Sequence, residues 1–332
     1  MIITKTPYRV SFFGGGTDFP DWYNKNRGLV LSTTVKYYLY VSVKSLPLFV
    51  QEIKNKIFYS KVENVKNISD IKHRVFREYY NHIKLKSPLE VHLSSDLPAK
   101  SGMGSSSTFI VGLIGTIANH FGEKLSKKEL YSKAIYFEQK ILKESCGSQD
   151  QVIAASGGFN KIHFKKNNIT VSEVKITEKR KKQLEDNLYL IFTNFSRKAS
   201  SVEKDKIKKI DKNKKIYDKI YEITKKAIKI IENKNSNLDE FGRLLNVMWK
   251  IKKNTSSKVS NIKLDKIYNK GIKSGALGGK LLGAGNGGFL LFYVKKENKE
   301  FFLKSMNKYL YIPFKFSNEG FEVIYDAHSK KK

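Results

Sequence analysis

The chain has 332 residues, 40% of them hydrophobic, which suffices for one large or two medium folded units and excludes global disorder. Its 63 Lys and Arg against 31 Asp and Glu give a formal net charge of +32, yet the lysines are spread along helix-like stretches such as Lys204–Ile210, and neither an aromatic-interleaved basic stripe nor a DNA-binding motif is present. A single cysteine, Cys146, excludes an internal disulfide and fits a reducing compartment, and no apolar run reaches the roughly 18 residues of a membrane span.

These features predict a cytoplasmic protein without signal peptide, nucleic-acid partner or membrane partner, whose positive field gathers small phosphorylated substrates. Residues 1–60 read mostly as strands. Tyr8–Phe13 runs into Gly14-Gly15-Gly16-Thr17-Asp18, and Gly28–Leu46, alternating from Val35 onward, is long enough for two strands. Ile71–Ile83 reads as a helix and Leu89–Leu93 as a strand. A glycine-serine loop, 98–107, follows, and then a helix beginning near Ser105 with Phe109, Ile110, Leu113, Ile114, Ile117, Ala118 and Phe121 on one face.

A second helix is predicted from Ser126, a plausible N-cap, to about Glu144. Glu138 falls within its apolar stripe. Cys146-Gly147 ends it, and Ser148-Gln149-Asp150-Gln151 reads as the next loop, closed by Gly157-Gly158. Strands are expected near 159–164 and 169–176, then a basic stretch, 178–182, as the candidate domain boundary. The strand 188–193, the turn Asn194–Lys198 and three helical stretches, 202–233, 238–254 and 262–274, come next. Gly275–Gly288 reads as a second glycine-rich loop before the strand 289–294. A helix near 299–309, strands near 311–316 and 321–325, and a frayed tail from Ser329 complete the chain, without an internal repeat.

The loop at 98–107 is read as an anion site. Gly102 and Gly104 let the backbone turn tightly, and the serines stand at a helix start, where free N–H groups and the helix dipole favour a phosphate. No Gly-x-x-x-x-Gly-Lys-[Ser/Thr] is present. Gly283-Ala284-Gly285-Asn286-Gly287-Gly288 matches Gly-x-Gly-x-x-Gly formally, but in the predicted order it follows a helix and precedes a strand, the wrong context for a dinucleotide fold. Three glycine-rich segments with polar groups suit phosphoryl transfer, which needs a phosphate cradle, a divalent cation and a group that orients the nucleophile. Glu138 could bind Mg²⁺ or be an edge glutamate with its head in water; Asp150 could be a base or a turn-former; Asp18 could meet substrate hydroxyls or close a turn.

Three motifs in order resemble the GHMP kinase superfamily: Pro7–Phe19, Pro98–Ser107 and Gly278–Gly288, with Gly147-Ser148-Gln149-Asp150-Gln151 between the second and third. Phe12-Phe13-Gly14-Gly15-Gly16-Thr17-Asp18-Phe19-Pro20 and Asn194–Ser200 are similar to the D-glycero-D-manno-heptose 7-phosphate kinases and the related fucokinase branch. The resemblance implies a two-domain α+β fold with the active site in the cleft; we expect the boundary at residues 182 and 183. It implies that Lys100, Ser101, Gly102, Met103, Gly104, Ser105 and Ser106 bind ATP, that Ser106 and Glu138 ligate Mg²⁺, and that Asp150, paired with Arg9, is catalytic. Gly16, Thr17, Asp18 and Gly285 are expected at the sugar, with Arg197 as the basic anchor for its phosphate. The expected reaction is ATP-dependent phosphorylation of a heptose 7-phosphate, by a monomer or homodimer; a kinase for another sugar, such as fucose or mannose, is the nearest alternative, and a basic nucleic-acid-binding protein that uses the +32 charge is the alternative of another class.

Overall fold

The computed structural model describes residues 1–47, 54–99, 101–195 and 199–327. The chain opens with β1 (Ile2–Phe13), a short α1 (Pro20–Tyr23) and β2 (Gly28–Ser45), followed by β3 (Asn55–Phe58), β4 (Val62–Val65), α2 (Arg74–His82) and β5 (Leu89–Ser95). Then come α3 (Ser105–His120), α4 (Lys127–Tyr136), α5 (Gln149–Ser156), β6 (Phe159–Lys165), β7 (Asn168–Glu173), α6 (Glu178–Asp186) and β8 (Leu188–Phe192). Four helices follow, α7 (Ala199–Lys208), α8 (Lys214–Glu232), α9 (Asp239–Lys253) and α10 (Ile262–Lys273). The chain ends with β9 (Ala276–Leu281), β10 (Phe289–Val294), α11 (Lys299–Ser305), β11 (Tyr311–Ile312), β12 (Phe316–Ser317) and β13 (Glu322–Asp326).

Among the described residues these strands form two sheets, of nine and four strands, so the α+β class expected from the sequence is the observed one. The larger sheet is built on β2, which is one strand of 18 residues rather than two. One edge of β2 pairs with β1 along nearly its whole length. Its other edge pairs in turn with β6 at 28–33, β12 at 34–35 and β5 at 39–45, and β13 lies outside β1. The smaller sheet runs β11-β8-β10-β9, all antiparallel. A cut after residue 182 therefore leaves β12 and β13, strands of the first sheet, in the second segment. The two layers also share apolar packing: Phe241 of α9 meets the rings of Phe12 and Phe13 edge-on at 5.5 and 5.1 Å.

Four local expectations are corrected. Gln149–Ser156 is the helix α5, so Asp150 stands in a first helical turn and not in a loop. Its apolar run, Val152–Ala155, is too short for a helical period to be read. Residues 276–281 of the second glycine-rich stretch are strand β9. Gly278 and Gly279 are there for close packing: a Cβ on Gly278 would overlap the Gly242 carbonyl of α9, and one on Gly279 would come within 2.5 Å of the Leu291 carbonyl. The long stretch 202–233 is broken by a turn into α7 and α8. Helix α4 begins where expected, with a Ser126–Glu129 capping box, but gives way after Tyr136 to a π-helical turn, Phe137–Ile141. The tail from Ser329 lies outside the described residues.

Candidate active site

Strand β1, the starts of α3 and α5, and the loop after β9 meet around one cleft. Helix α3 begins at Gly104, which takes the left-handed conformation with φ +81°, and no side chain caps its first turn. An uncapped helix start presents backbone N–H groups unused within the helix. Gly102, φ +82°, makes the other bend of the loop. The third glycine segment presses on this loop by backbone alone: a Cβ on Gly283 would lie 2.8 Å from the Gly102 Cα, and Phe289 N–H donates to the Ser101 carbonyl at 3.2 Å.

Arg9 reaches from β1 across this junction. Its Nε and Nη2 donate to Asp150 Oδ1 and Oδ2 at 2.8 and 2.6 Å, and its Nη1 donates to the Gly102 carbonyl at 2.8 Å. Asp150 also sits 3.3 Å from where a Gly104 Cβ would stand. Its neighbour Gln149 donates its backbone N–H to Asp18 Oδ2 at 3.2 Å and accepts from Ser11 Oγ at 2.6 Å. Asp18, 2% exposed, accepts a second bond from Gly16 N–H at 2.7 Å, and burial raises its pKa.

Glu138 is 3% exposed, which rules out an edge glutamate with its head in water. The π turn carries it against the start of α3, where Ser106 Oγ donates to it at 3.2 Å, Ser107 Oγ at 2.8 Å and Gln151 Nε2 at 2.5 Å. Burial pushes its pKa up to about 7 even against these three donors. A buried carboxylate held only by neutral donors, next to a serine hydroxyl, is a hard-oxygen set suited to a small divalent cation beside phosphates. In that sense Ser106 and Glu138 fit Mg²⁺.

Of the residues singled out in the sequence, Arg9, Gly16, Asp18, Gly102, Gly104, Ser105, Ser106, Glu138, Asp150 and Gly285 line one cavity. Three do not. Thr17 is fully buried and turns its hydroxyl to the Gly14 and Leu29 carbonyls, so it braces the turn. Met103 points into the apolar core, with its carbonyl accepting from Arg9 N–H, and Ser101 is buried beneath the loop. Lys100 and Arg197 lie outside the described residues. Sequence reasoning missed Ser11, Glu203, Lys206, Lys252 and Lys280, which line the same cavity. Ser11 and Lys280, and the further lining residue Gln149, stood within quoted motifs, so position alone could have raised them; Glu203, Lys206 and Lys252 carry no local signal.

Two family models match the chain, "GHMP kinases N terminal domain" over residues 68–158 and "GHMP kinases C terminal" over 224–312. A D-glycero-alpha-D-manno-heptose 7-phosphate kinase of Campylobacter jejuni is 33% identical over 96% of this chain and 97% of its own. The chain belongs to the GHMP kinases. Among solved structures, a D-glycero-D-manno-heptose 1-phosphate kinase from Bacteroides thetaiotaomicron superposes with a TM-score of 0.79 at 24% identity, covering 98% of this chain and all of that one. A putative sugar kinase from Campylobacter jejuni gives 0.70 at 28% identity, covering 97% of each chain. This GHMP kinase is an ATP-dependent sugar kinase. No helix among its described residues is long and apolar enough to cross a membrane.

Proposed function

We propose that this kinase transfers the γ-phosphoryl group of ATP to the anomeric hydroxyl of D-glycero-D-manno-heptose 7-phosphate, giving the 1,7-bisphosphate for nucleotide-activated heptose and surface polysaccharide synthesis in the cytoplasm. One observation carries the chemistry: Asp150, gripped by both nitrogens of the Arg9 fork, touches the glycine-serine loop on one side and, through Gln149, Asp18 on the other. That is where a hydroxyl and a terminal phosphate must meet. The choice of sugar and of the phosphate it already carries follows the Campylobacter relative, which matches over nearly its whole length.

In this reading the loop Gly102–Ser106 and the start of α3 cradle the triphosphate. Ser106 and Glu138 would hold Mg²⁺, which supplies charge neutralisation on the phosphate oxygens when bound. Asp18 accepts hydrogen bonds from sugar hydroxyls. Asp150 orients the 1-hydroxyl and accepts its proton as the new O–P bond forms and the bond to ADP breaks. Arg9 fixes the Asp150 carboxylate by a bidentate bond and faces the transferring group with positive charge. Uptake of phosphate into product, measured over a panel of heptoses and hexoses with and without a distal phosphate, tests the reading. The 7-phosphate is expected to be preferred, with NMR locating the new phosphate on C1; preference for a free hexose, or phosphate at another carbon, would replace it with another sugar kinase.

A further inference from the structure

The same cavity is lined by three lysines from three different elements: Lys206 on α7, Lys252 on α9 and Lys280 on β9. They are 6%, 9% and 4% exposed, rare burial for an ammonium. Lys280 Nζ donates to the Ser11 and Phe12 carbonyls, each at 2.8 Å. Lys252 Nζ donates to the Leu281 and Gly283 carbonyls at 2.9 and 2.6 Å, and Lys206 Nζ to the Ala284 carbonyl at 2.5 Å. An ammonium has three N–H groups, so each keeps at least one beyond these bonds, in a side chain that borders the cavity. For Lys252 and Lys280 the partners among the described residues are neutral carbonyls, which supply no countercharge. Burial first, then the positive charges of Lys206, Lys280 and Arg9, lower the Lys252 pKa well below its ordinary value, against the opposing pull of the Glu203 carboxylate, which lines the same cavity. Like charges crowded together in a cavity wall are stabilised by an arriving anion.

We propose that Lys206, Lys252 and Lys280 form a second phosphate pocket, distinct from the start of α3, that takes the distal phosphate of the sugar substrate. The proposal rests on the sugar-phosphate reading given above. The sugar side is favoured over the nucleotide because Lys280 is tied to the carbonyl of Ser11, whose hydroxyl holds Gln149, and the N–H of Gln149 holds Asp18. The bonds to Leu281, Gly283 and Ala284 also brace the loop that abuts Gly102, so the pocket is rigid before substrate arrives.

Lys252→Met and Lys206→Met test this with heptose 7-phosphate and with the same heptose lacking the phosphate. Losing a charge-assisted hydrogen bond should raise the KM for the sugar phosphate about tenfold or more in each variant, well beyond any loss of activity on the free heptose or any rise in the KM for ATP. Lys252→Arg should recover part of the loss. A rise confined to the KM for ATP would overturn the proposal. So would equal losses on both sugars, which would make the lysines loop braces only. If Lys252→Met does not fold, Lys206→Met, whose amine holds one carbonyl, carries the same measurements. A second arm needs no sugar. With a non-hydrolysable ATP analogue saturating, inorganic phosphate should raise the Tm of the wild type and not that of the variants; equal shifts would overturn the pocket. Should the wild type prefer free sugars, the heptose-phosphate reading fails on the sugar panel, while the phosphate arm still decides the pocket.

Discussion

Asp150 and Arg9 are coupled more tightly than either is to anything else in the cleft. Replacing Asp150 by Asn keeps the shape, removes the proton acceptor and weakens the grip of Arg9. Loss of a general base typically costs about 10²–10⁴-fold, so Asp150→Asn is expected to lose at least about a hundredfold in kcat while binding ATP normally by calorimetry. Near-normal turnover would take Asp150 out of the chemistry. Lys280 offers a test by pH. Burial, then the charges of Arg9 and Lys206, lowers its pKa to about 7, whereas in the unfolded chain it keeps its proton up to the ordinary lysine value of 10.5. Between those values the unfolded chain binds more protons, so this group makes the fold more stable as pH rises. Lys280→Met removes that gain and also leaves the Ser11 and Phe12 carbonyls without a donor. The Tm deficit of the variant relative to wild type should therefore grow from pH 7 to pH 10; a constant deficit would mean that Lys280 titrates normally. The residues legible in the sequence were those that stood out locally: a carboxylate in an apolar stripe, an aspartate beside glycine breaks, serines at a helix start. Lys206 and Lys252 did not stand out, because in a chain with 63 basic residues a lysine on a helix reads as surface. Only the crossing of distant elements shows them buried.

At the scale of elements, the site depends on helices and strands approaching with nothing between them. Gly147, just before α5, is the sharpest case: a methyl group there would overlap Asp18 Oδ2. Gly147→Ala must push Asp18 off its position, and a displacement of about 1 Å can cost about a hundredfold in rate. The loss is expected in kcat/KM for the sugar, with ATP affinity kept, since the glycine-serine loop is untouched; equal loss for both substrates would show that the shift spreads through α5. The same close packing explains which elements were hidden in the sequence. Strands and helices with a long apolar run, such as β10 and α3, were readable. Strand β9 looked like a loop because its glycines answer to α9 and β10 rather than to its own backbone. Helix α5 looked like a loop because its polar start serves Asp18, Arg9 and Glu138, leaving only four apolar residues to mark it.

The whole molecule carries +32 charges, spread along its surface helices as well as in the cleft. Both proposed substrates are anions, so this field should speed their arrival without changing the chemistry once they are bound. Raising salt from about 0.02 to 0.3 M, which shortens the screening length from beyond about 10 Å to well below it, should lower kcat/KM for ATP and sugar phosphate and leave kcat nearly unchanged. A salt-independent kcat/KM would show that the field plays no part in capture.

The pairing of the first strand with the last has a consequence for how the protein is made. Ile2 faces Asp326 across the β1–β13 ladder, and the Ala327 N–H donates to the Met1 carbonyl. On the ribosome β1 emerges well before β13 and can zip to β2 as soon as that strand follows, but its outer edge stays bare until β13 has been synthesised. An open strand edge is a template for pairing with other chains. The first sheet to start folding is therefore among the last to be finished. Slow translation lengthens the time during which a nascent chain of this kinase can be captured by a neighbour or must be shielded by a chaperone.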